Sequence, residues 1–153
     1  MNDDYVCSVQ VKKLHEDSIL PTRGSSSAAG WDLYAYLGPN TATIIKPHVT
    51  IKVGTGLAFA IEEGWEGEIR PRSGFATKRG LRPANTPGTI DSDYRGEIII
   101  ALHNDSDFDQ VVENGERIAQ ILFNKVPLIE WSIVEELEDT ERGAGGFGST
   151  GAN

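Results

Sequence analysis

The stretch Val49-Thr-Ile-Lys-Val-Gly-Thr-Gly-Leu-Ala-Phe-Ala-Ile61 carries an alternation that decides the fold class. Val49, Ile51 and Val53 alternate with Thr50 and Lys52, and Leu57, Phe59 and Ile61 alternate with Ala58 and Ala60. Successive Cβ atoms of a strand point to opposite faces, so a period of two marks a strand with one face buried. Gly54-Thr-Gly56 between the two runs reads as a turn. Cys7, Val9 and Val11 repeat the pattern against Ser8, Gln10 and Lys12. Ile98-Ile99-Ile100 is a continuous β-branched run, which predicts a strand buried on both faces. Turn signals at Gly38-Pro39-Asn40, Lys46-Pro47, Glu63-Gly64, Pro87-Gly88 and Asn114-Gly115 keep the strands short. Together these features predict an all-β barrel or sandwich.

One short helix is expected. Ser73 suits an N-cap and Gly80 a C′ position, with Phe75-Ala-Thr-Lys-Arg79 between them. Gly24-Ser-Ser-Ser-Ala-Ala29 reads as a loop. Trp31, Trp65 and Trp131 are expected as core or interface anchors. The 153 residues suit one domain. No apolar run approaches the ~18 residues of a membrane helix, so no membrane partner is expected. Two acids, Asp3 and Asp4, precede the first apolar stretch, unlike a secretory signal. The single cysteine, Cys7, fits a reducing, cytoplasmic setting.

The formal net charge is -9, which argues against a nucleic-acid partner. The charge is uneven, however. Between Ile69 and Ile90 lie Arg70, Arg72, Lys78, Arg79 and Arg82 and no acid; the rest of the chain sets nine basic residues against 23 acidic ones. Such an island suits either a small polyanionic ligand or a solvated surface loop. The expected helix would turn backbone N–H groups toward an anion, and Arg72 beside it carries a fork of donors suited to phosphate. Glycine is uneven too: five of the 17 lie in Gly143-Ala-Gly-Gly-Phe-Gly-Ser-Thr-Gly151.

Several chemistries are excluded by spacing. Gly143, Gly145 and Gly148 make a literal G-x-G-x-x-G, but only five residues follow, too few for a dinucleotide fold. No Walker phosphate loop and no G-x-S-x-G nucleophile elbow occur. Asp91-Ser-Asp93 opens like a calcium loop, but Arg95 and Leu102 fall where ligands are required. His15, His48, His103 and Cys7 lack zinc-ligand spacing.

Five segments remain: Ala29-Gly-Trp-Asp-Leu-Tyr-Ala35, Pro71-Arg-Ser-Gly74, Asn85-Thr-Pro-Gly-Thr-Ile-Asp-Ser-Asp-Tyr-Arg-Gly-Glu97, Gly115-Glu-Arg-Ile-Ala-Gln120, and Arg142 to Gly151. In this order and spacing they resemble the five motifs of the homotrimeric dUTPase family (deoxyuridine triphosphate nucleotidohydrolases), over about four-fifths of the chain. The resemblance implies a jelly-roll-like distorted β-barrel over residues 1–141 and a flexible Gly-rich lid over 142–153. It implies a homotrimer whose sites are each built from three chains, with Mg²⁺ as cofactor and dUTP as substrate. The implied reaction gives dUMP and pyrophosphate, which keeps uracil out of DNA and supplies dUMP for dTMP synthesis.

Matched position by position, Asp91 resembles the general base that activates water. Tyr94 resembles the residue packed on the deoxyribose. Asn85, with backbone groups such as Gly88, resembles the uracil reader, and Ile90 falls among the substrate-binding positions. Arg72, Ser73, Gly74 and Gln120 resemble phosphate binders, and Asp32 the acid that holds the metal through water. Phe147 resembles a lid aromatic over uracil, with Arg142, Gly148, Ser149 and Thr150 on the γ-phosphate. Asp93 and Arg117 are expected to be structural, Arg117 in an ion pair or a trimer contact.

Three positions depart from the family pattern. Phe75 replaces a smaller aliphatic residue and should alter packing behind the helix. Trp31 precedes Asp32, and Arg82-Pro83 stands where apolar residues are expected. Two alternatives share the implied fold: a dCTP deaminase, disfavoured by the intact Ile90-Asp-Ser-Asp-Tyr94 run, and a non-catalytic trimeric binding module.

Overall fold

The structure is a computed structural model and describes residues 5–151. The expected domain and lid therefore begin and end outside the described residues. Ten strands and one helix follow one another: β1 (Val9–Lys13), β2 (Trp31–Tyr34), β3 (Ala42–Ile45), β4 (Thr50–Ile61), β5 (Trp65–Arg70), α1 (Ser73–Arg79), β6 (Leu81–Pro83), β7 (Gly88–Ile90), β8 (Glu97–Asn104), β9 (Gln110–Glu113) and β10 (Arg117–Lys125). All pairings are antiparallel. One four-stranded sheet runs β1-β4-β8-β6, a second runs β2-β10-β5-β7, and β3 pairs with β9 as a two-stranded ribbon.

The core lies between the sheets. Leu57, Ile98, Ile100 and Leu102 of the first sheet meet Leu33, Ile69, Ile118 and Ile121 of the second, with Ile45 and Val112 of the ribbon. This is the expected jelly-roll-like, all-β arrangement. It does not close as a barrel: among the described residues the ladders form three separate sheets.

Gly54-Thr-Gly56 is not a turn. β4 runs through it unbroken, and the register with β8 shifts between Gly54 and Ala58, which makes a bulge. Gly56 takes φ +68° there, in the left-handed region that glycine enters without steric cost. Its N–H donates to Glu97 Oε1 at 2.9 Å, so a side chain of the facing strand fixes the bulge. Ile98-Ile99-Ile100 is not buried on both faces either. Ile98 and Ile100 are buried while Ile99 is 45% exposed, because the outer face of β8 is at most partly covered by the described residues. β1 is an edge strand whose apolar face is covered in part: Cys7 and Val9 pack against the core, while Val11 is exposed. None of the three tryptophans is in the core; Trp65 packs partly against it, and Trp131 is 91% exposed.

The helix forms over Ser73–Arg79, but its N-cap is Arg72, in extended conformation, rather than Ser73. Gly80 ends it at φ 68°, and its N–H donates to the carbonyls of Ala76 and Phe75. Phe75 is its one buried residue, which turns the departure from the family pattern into an anchor on the core.

Asn104, fully buried, ties β8 to the ribbon. Its Nδ2 donates to the carbonyls of Ile45 and Phe108 at 2.9 and 2.7 Å, and its Oδ1 accepts the Ser106 N–H at 2.9 Å. Asn104→Ala strands these buried groups, each costing about 1–3 kcal/mol. Urea denaturation should show a stability loss of about 2–4 kcal/mol, against under about 0.5 kcal/mol for the exposed Thr77→Ala.

Candidate active site

Asp32 lies on β2, where it faces Gln120 of β10 in register, and Gln120 in turn faces Arg70 of β5. A β-bridge between Thr22 and Asp32 pins the start of the Gly24–Ala29 loop to this strand, and Arg23 Nε and Nη2 close the loop on the Ala28 carbonyl. Arg72 Nε donates to Asp32 Oδ1 at 2.9 Å, and Arg117 Nη1 lies 3.6 Å from Asp32 Oδ2. Gln120 Nε2 donates to the Pro71 carbonyl at 2.9 Å, just before Arg72. Asp32, Arg72, Ser73, Gly74 and Gln120 line one cleft of about 250 Å³, floored by Gly24, Ala28 and Gly30. Gly30 has to be small, because a Cβ there would run into the Gln120 amide. Arg72 meets Asp32 through Nε, and this bond leaves its two Nη groups available.

The connection from β7 in one sheet to β8 in the other carries the second group. Asp91 follows β7 directly and is exposed. Among the described residues its carboxylate takes part in no side-chain hydrogen bond or ion pair. Tyr94 N donates to the Asp91 carbonyl at 3.1 Å, and the Tyr94 hydroxyl donates to the Glu97 carbonyl at 2.9 Å. A Cβ on Gly96 would strike the Tyr94 ring, so Gly96 makes room for it. Ile90, Asp91 and Tyr94 share a cleft of about 140 Å³ with Thr89, Glu97 and Ile99. Asn85, Gly88 and Ile90 border a smaller adjoining one of about 40 Å³. Gly88 is buried, and a Cβ there would press on the Asn85 amide at 3.3 Å.

The two groups do not meet within one chain. β10 and β5 lie between β2 and β7, and Ile90 pairs three residues along β5 from the row of Asp32. Strand spacing puts Asp32 and Ile90 about 14 Å apart across the sheet and about 10 Å along it. The tail residues Arg142, Phe147, Gly148, Ser149 and Thr150 line neither cleft. Their hydrogen bonds are local, as in Arg142 Nε donating to the Gly145 carbonyl at 2.8 Å, and Phe147 is fully exposed.

Gly30, Gly96 and Glu97 escaped the sequence reading although all three stand inside the motifs. Their signal was the glycine or acid itself at a fixed motif position, but what each one meets comes from a different strand or from a ring. Arg82 is explained: its guanidinium grips Asp105 through two bonds of 2.5 and 3.3 Å, while β6 pairs with β8.

No cluster of three or more His, Cys, Asp or Glu groups suited to a metal occurs among the described residues. A divalent cation held chiefly by a ligand's phosphates and by water asks for only one or two carboxylates. Asp32, partly exposed in its cleft beside the phosphate-type donors, fits such a water-mediated link.

A β-sandwich that offers guanidinium and amide donors at one sheet edge and a free carboxylate at the other defines a class of chain suited to hydrolysing a polyanion. The sequence model of the family described as dUTPase matches residues 16–151. A deoxyuridine 5'-triphosphate nucleotidohydrolase of Nautilia profundicola is 51% identical, with 94% of this chain and 98% of the relative covered. The enzyme of the same name from Syntrophotalea carbinolica is 48% identical, over 94% and 97%. Among solved structures, the dUTPase of Staphylococcus bacteriophage 80alpha with dUpNHpp superposes with a TM-score of 0.83 at 29% identity, covering 95% of this chain and 99% of that one. The chain belongs to the dUTPase family.

Asp105 sits below the ordinary aspartate range, chiefly because Arg82 donates hydrogen bonds to its carboxylate, with His103 and His48 adding favourable charge. A carboxyl depressed in the folded state adds stability above its unfolded pKa and loses it as pH falls through the folded value. The melting-temperature gap between the unaltered protein and Arg82→Met should therefore be present at pH 7 and close in acid, below the usual value of 3.8.

Proposed function

We propose that the chain hydrolyses dUTP to dUMP and pyrophosphate, with Asp91 as the general base. The observation that carries this reading is the contrast between two aspartates. Asp32 is engaged by Arg72 and Arg117, whereas Asp91 is exposed and uncommitted beside Tyr94. A base has to be free to take a proton, and a carboxylate already bonded to guanidinium groups is a weak one. The names of the relatives and the bound nucleotide of the phage enzyme agree with the substrate.

In this reading Asp91 takes a proton from water as its oxygen bonds to the α-phosphorus. The bond from the α-phosphorus to the bridging oxygen breaks, and pyrophosphate leaves with the electron pair. Arg72, Ser73, Gly74 and Gln120 hold the phosphate oxygens, and developing charge on the leaving group meets donors already in place. Mg²⁺, joined through water to Asp32, would neutralise part of the triphosphate charge. Asn85 and the backbone around Gly88 read uracil, with Ile90 alongside. Tyr94 packs on the deoxyribose and excludes a ribose hydroxyl by contact at C2′. Phe147 covers the base, and Arg142, Gly148, Ser149 and Thr150 hold the γ-phosphate.

The separation of the two clefts supports a site completed between copies, in a homotrimer. Leu128, Trp131 and Ile133, each at least nine-tenths exposed in the single chain, add apolar surface for such an assembly. No helix among the described residues is long and apolar enough to cross a membrane. We place the enzyme in the cytoplasm, a reducing setting that suits its single cysteine.

A pyrophosphate-release assay on dUTP, UTP, dCTP and dTTP should show turnover of dUTP alone; ammonia from dCTP would select the deaminase alternative. Asp91→Asn should bind dUTP and lose about hundredfold or more of kcat; retained turnover would falsify the assignment of the base. Removing residues 142–153 should lower kcat about tenfold or more without changing the oligomer seen by light scattering, as expected for a lid.

A further inference from the structure

The cationic island contains a residue that the reaction scheme leaves unused. Arg79, in the last turn of α1, donates through Nη1 to Glu116 Oε1, through Nη2 to the Val111 carbonyl, and through Nε to Gln110 Oε1 at 3.4 Å. Its guanidinium carbon lies 4.8 Å from the centre of the Phe75 ring. Glu116 is held in turn, because its Oε2 accepts the Glu113 N–H at 3.1 Å and its carbonyl accepts the Ala35 N–H at 2.8 Å. The next residue, Arg117, reaches Asp32, and Asp32 holds Arg72 at the other end of the helix.

Charges of alternating sign thus run in a closed circuit: Arg72, Asp32, Arg117, then along the chain to Glu116, and across to Arg79. One end of α1 is thus fastened to Asp32 on β2, which Arg117 also approaches, and the other to Glu116, the residue just before β10. The helix is about 10 Å long, so freeing its far end would let it pivot and shift Arg72 against the cleft. Neither Arg79 nor Glu116 lines that cleft.

We propose that Arg79 and Glu116 are positioning residues that set Arg72 for phosphate binding, an inference that rests on the dUTP-hydrolase reading. They act through the helix and touch no substrate. Arg72 meets phosphate before and during the reaction, so misplacing it weakens binding of the ground state and the transition state alike. That signature is a raised KM with kcat preserved.

The test uses the full chain with Arg79→Met, which keeps an unbranched chain over Phe75, and Glu116→Gln, which keeps shape and one acceptor. A third variant exchanges the pair, Arg79→Glu with Glu116→Arg. Each single variant should raise KM for dUTP about fivefold to tenfold with kcat within about twofold, and the exchanged pair should recover to within about twofold. Calorimetric titration with inorganic tripolyphosphate should show the same loss and recovery, independently of turnover. Lowered melting temperatures with unchanged KM and unchanged tripolyphosphate affinity would overturn the proposal, as would an exchanged pair no better than the singles. If the unaltered chain releases no pyrophosphate from dUTP while tripolyphosphate affinity follows the pattern, the substrate reading falls and the positioning role stands. Should Arg79→Met fail to fold, Glu116→Gln carries the same readouts.

Discussion

The two groups to which the proposed reaction assigns its phosphate donors and its base lie on opposite edges of one sheet, and the hydrogen-bonding order of that sheet forbids them to meet. β10 and β5 lie between β2 and β7, and each strand adds about 4.8 Å that no side-chain rotation can remove. The constraint follows from the core: β10 and β5 carry Ile121 and Ile69, both buried, and moving either strand to an edge would uncover them. A chain built this way can concentrate phosphate-type donors at one place and a proton acceptor at another, without the acceptor being neutralised by the arginines. In the proposed trimer, assembly would bring an unspent carboxylate to an arginine-rich cleft. In a single-chain site the same groups would tend to pair with each other.

The circuit around α1 shows how that concentration of charge is stabilised. Arg72, Arg79 and Arg117 would repel one another if left alone in one region. Interleaving Asp32 and Glu116 leaves a net +1 among the five, with the guanidinium planes oriented rather than swinging in solvent. Arginine serves here because one planar group can use an edge for a carboxylate and retain donors for phosphate, which an ammonium does less well.

Much of this was legible in the sequence, and the failures have physical causes. Period two identified β4, and Ser73–Gly80 enclosed the one helix. Gly54-Thr-Gly56 was misread because a glycine pair can make a turn or a bulge, and the choice depends on what faces it. Here the Glu97 carboxylate, 41 residues away, receives the Gly56 N–H. Ile98-Ile99-Ile100 shows only that three positions favour a strand; which faces are covered depends on neighbours, and the single chain covers one. Ser73 yielded the cap to Arg72 because the Asp32 bond and the Ala76 N–H on the Arg72 carbonyl fix Arg72 at the boundary. The motifs marked the residues of both clefts, while the partner of Arg79 lies 37 residues away and carries no local signal.

The β7–β8 connection has a similar logic. A carboxylate is a modest base, so its contribution depends on holding one oxygen toward one water, and small errors of position are costly. The β7–β8 turn leaves little slack. Tyr94 is bonded through its backbone to Asp91 and through its hydroxyl to the Glu97 carbonyl, over a glycine that admits its ring. Glu97 is then fastened by its side chain to the bulge of β4, so the start of β8, on which the turn ends, is braced by the strand paired with it. Arg95 Nη1 donates to the carbonyls of Ser92 and Tyr94, and so spends its charge on the turn's backbone rather than on Asp91. Arg95 and the Tyr94 hydroxyl are thereby committed to backbone carbonyls, and the Asp91 carboxylate is left free for the role proposed for it.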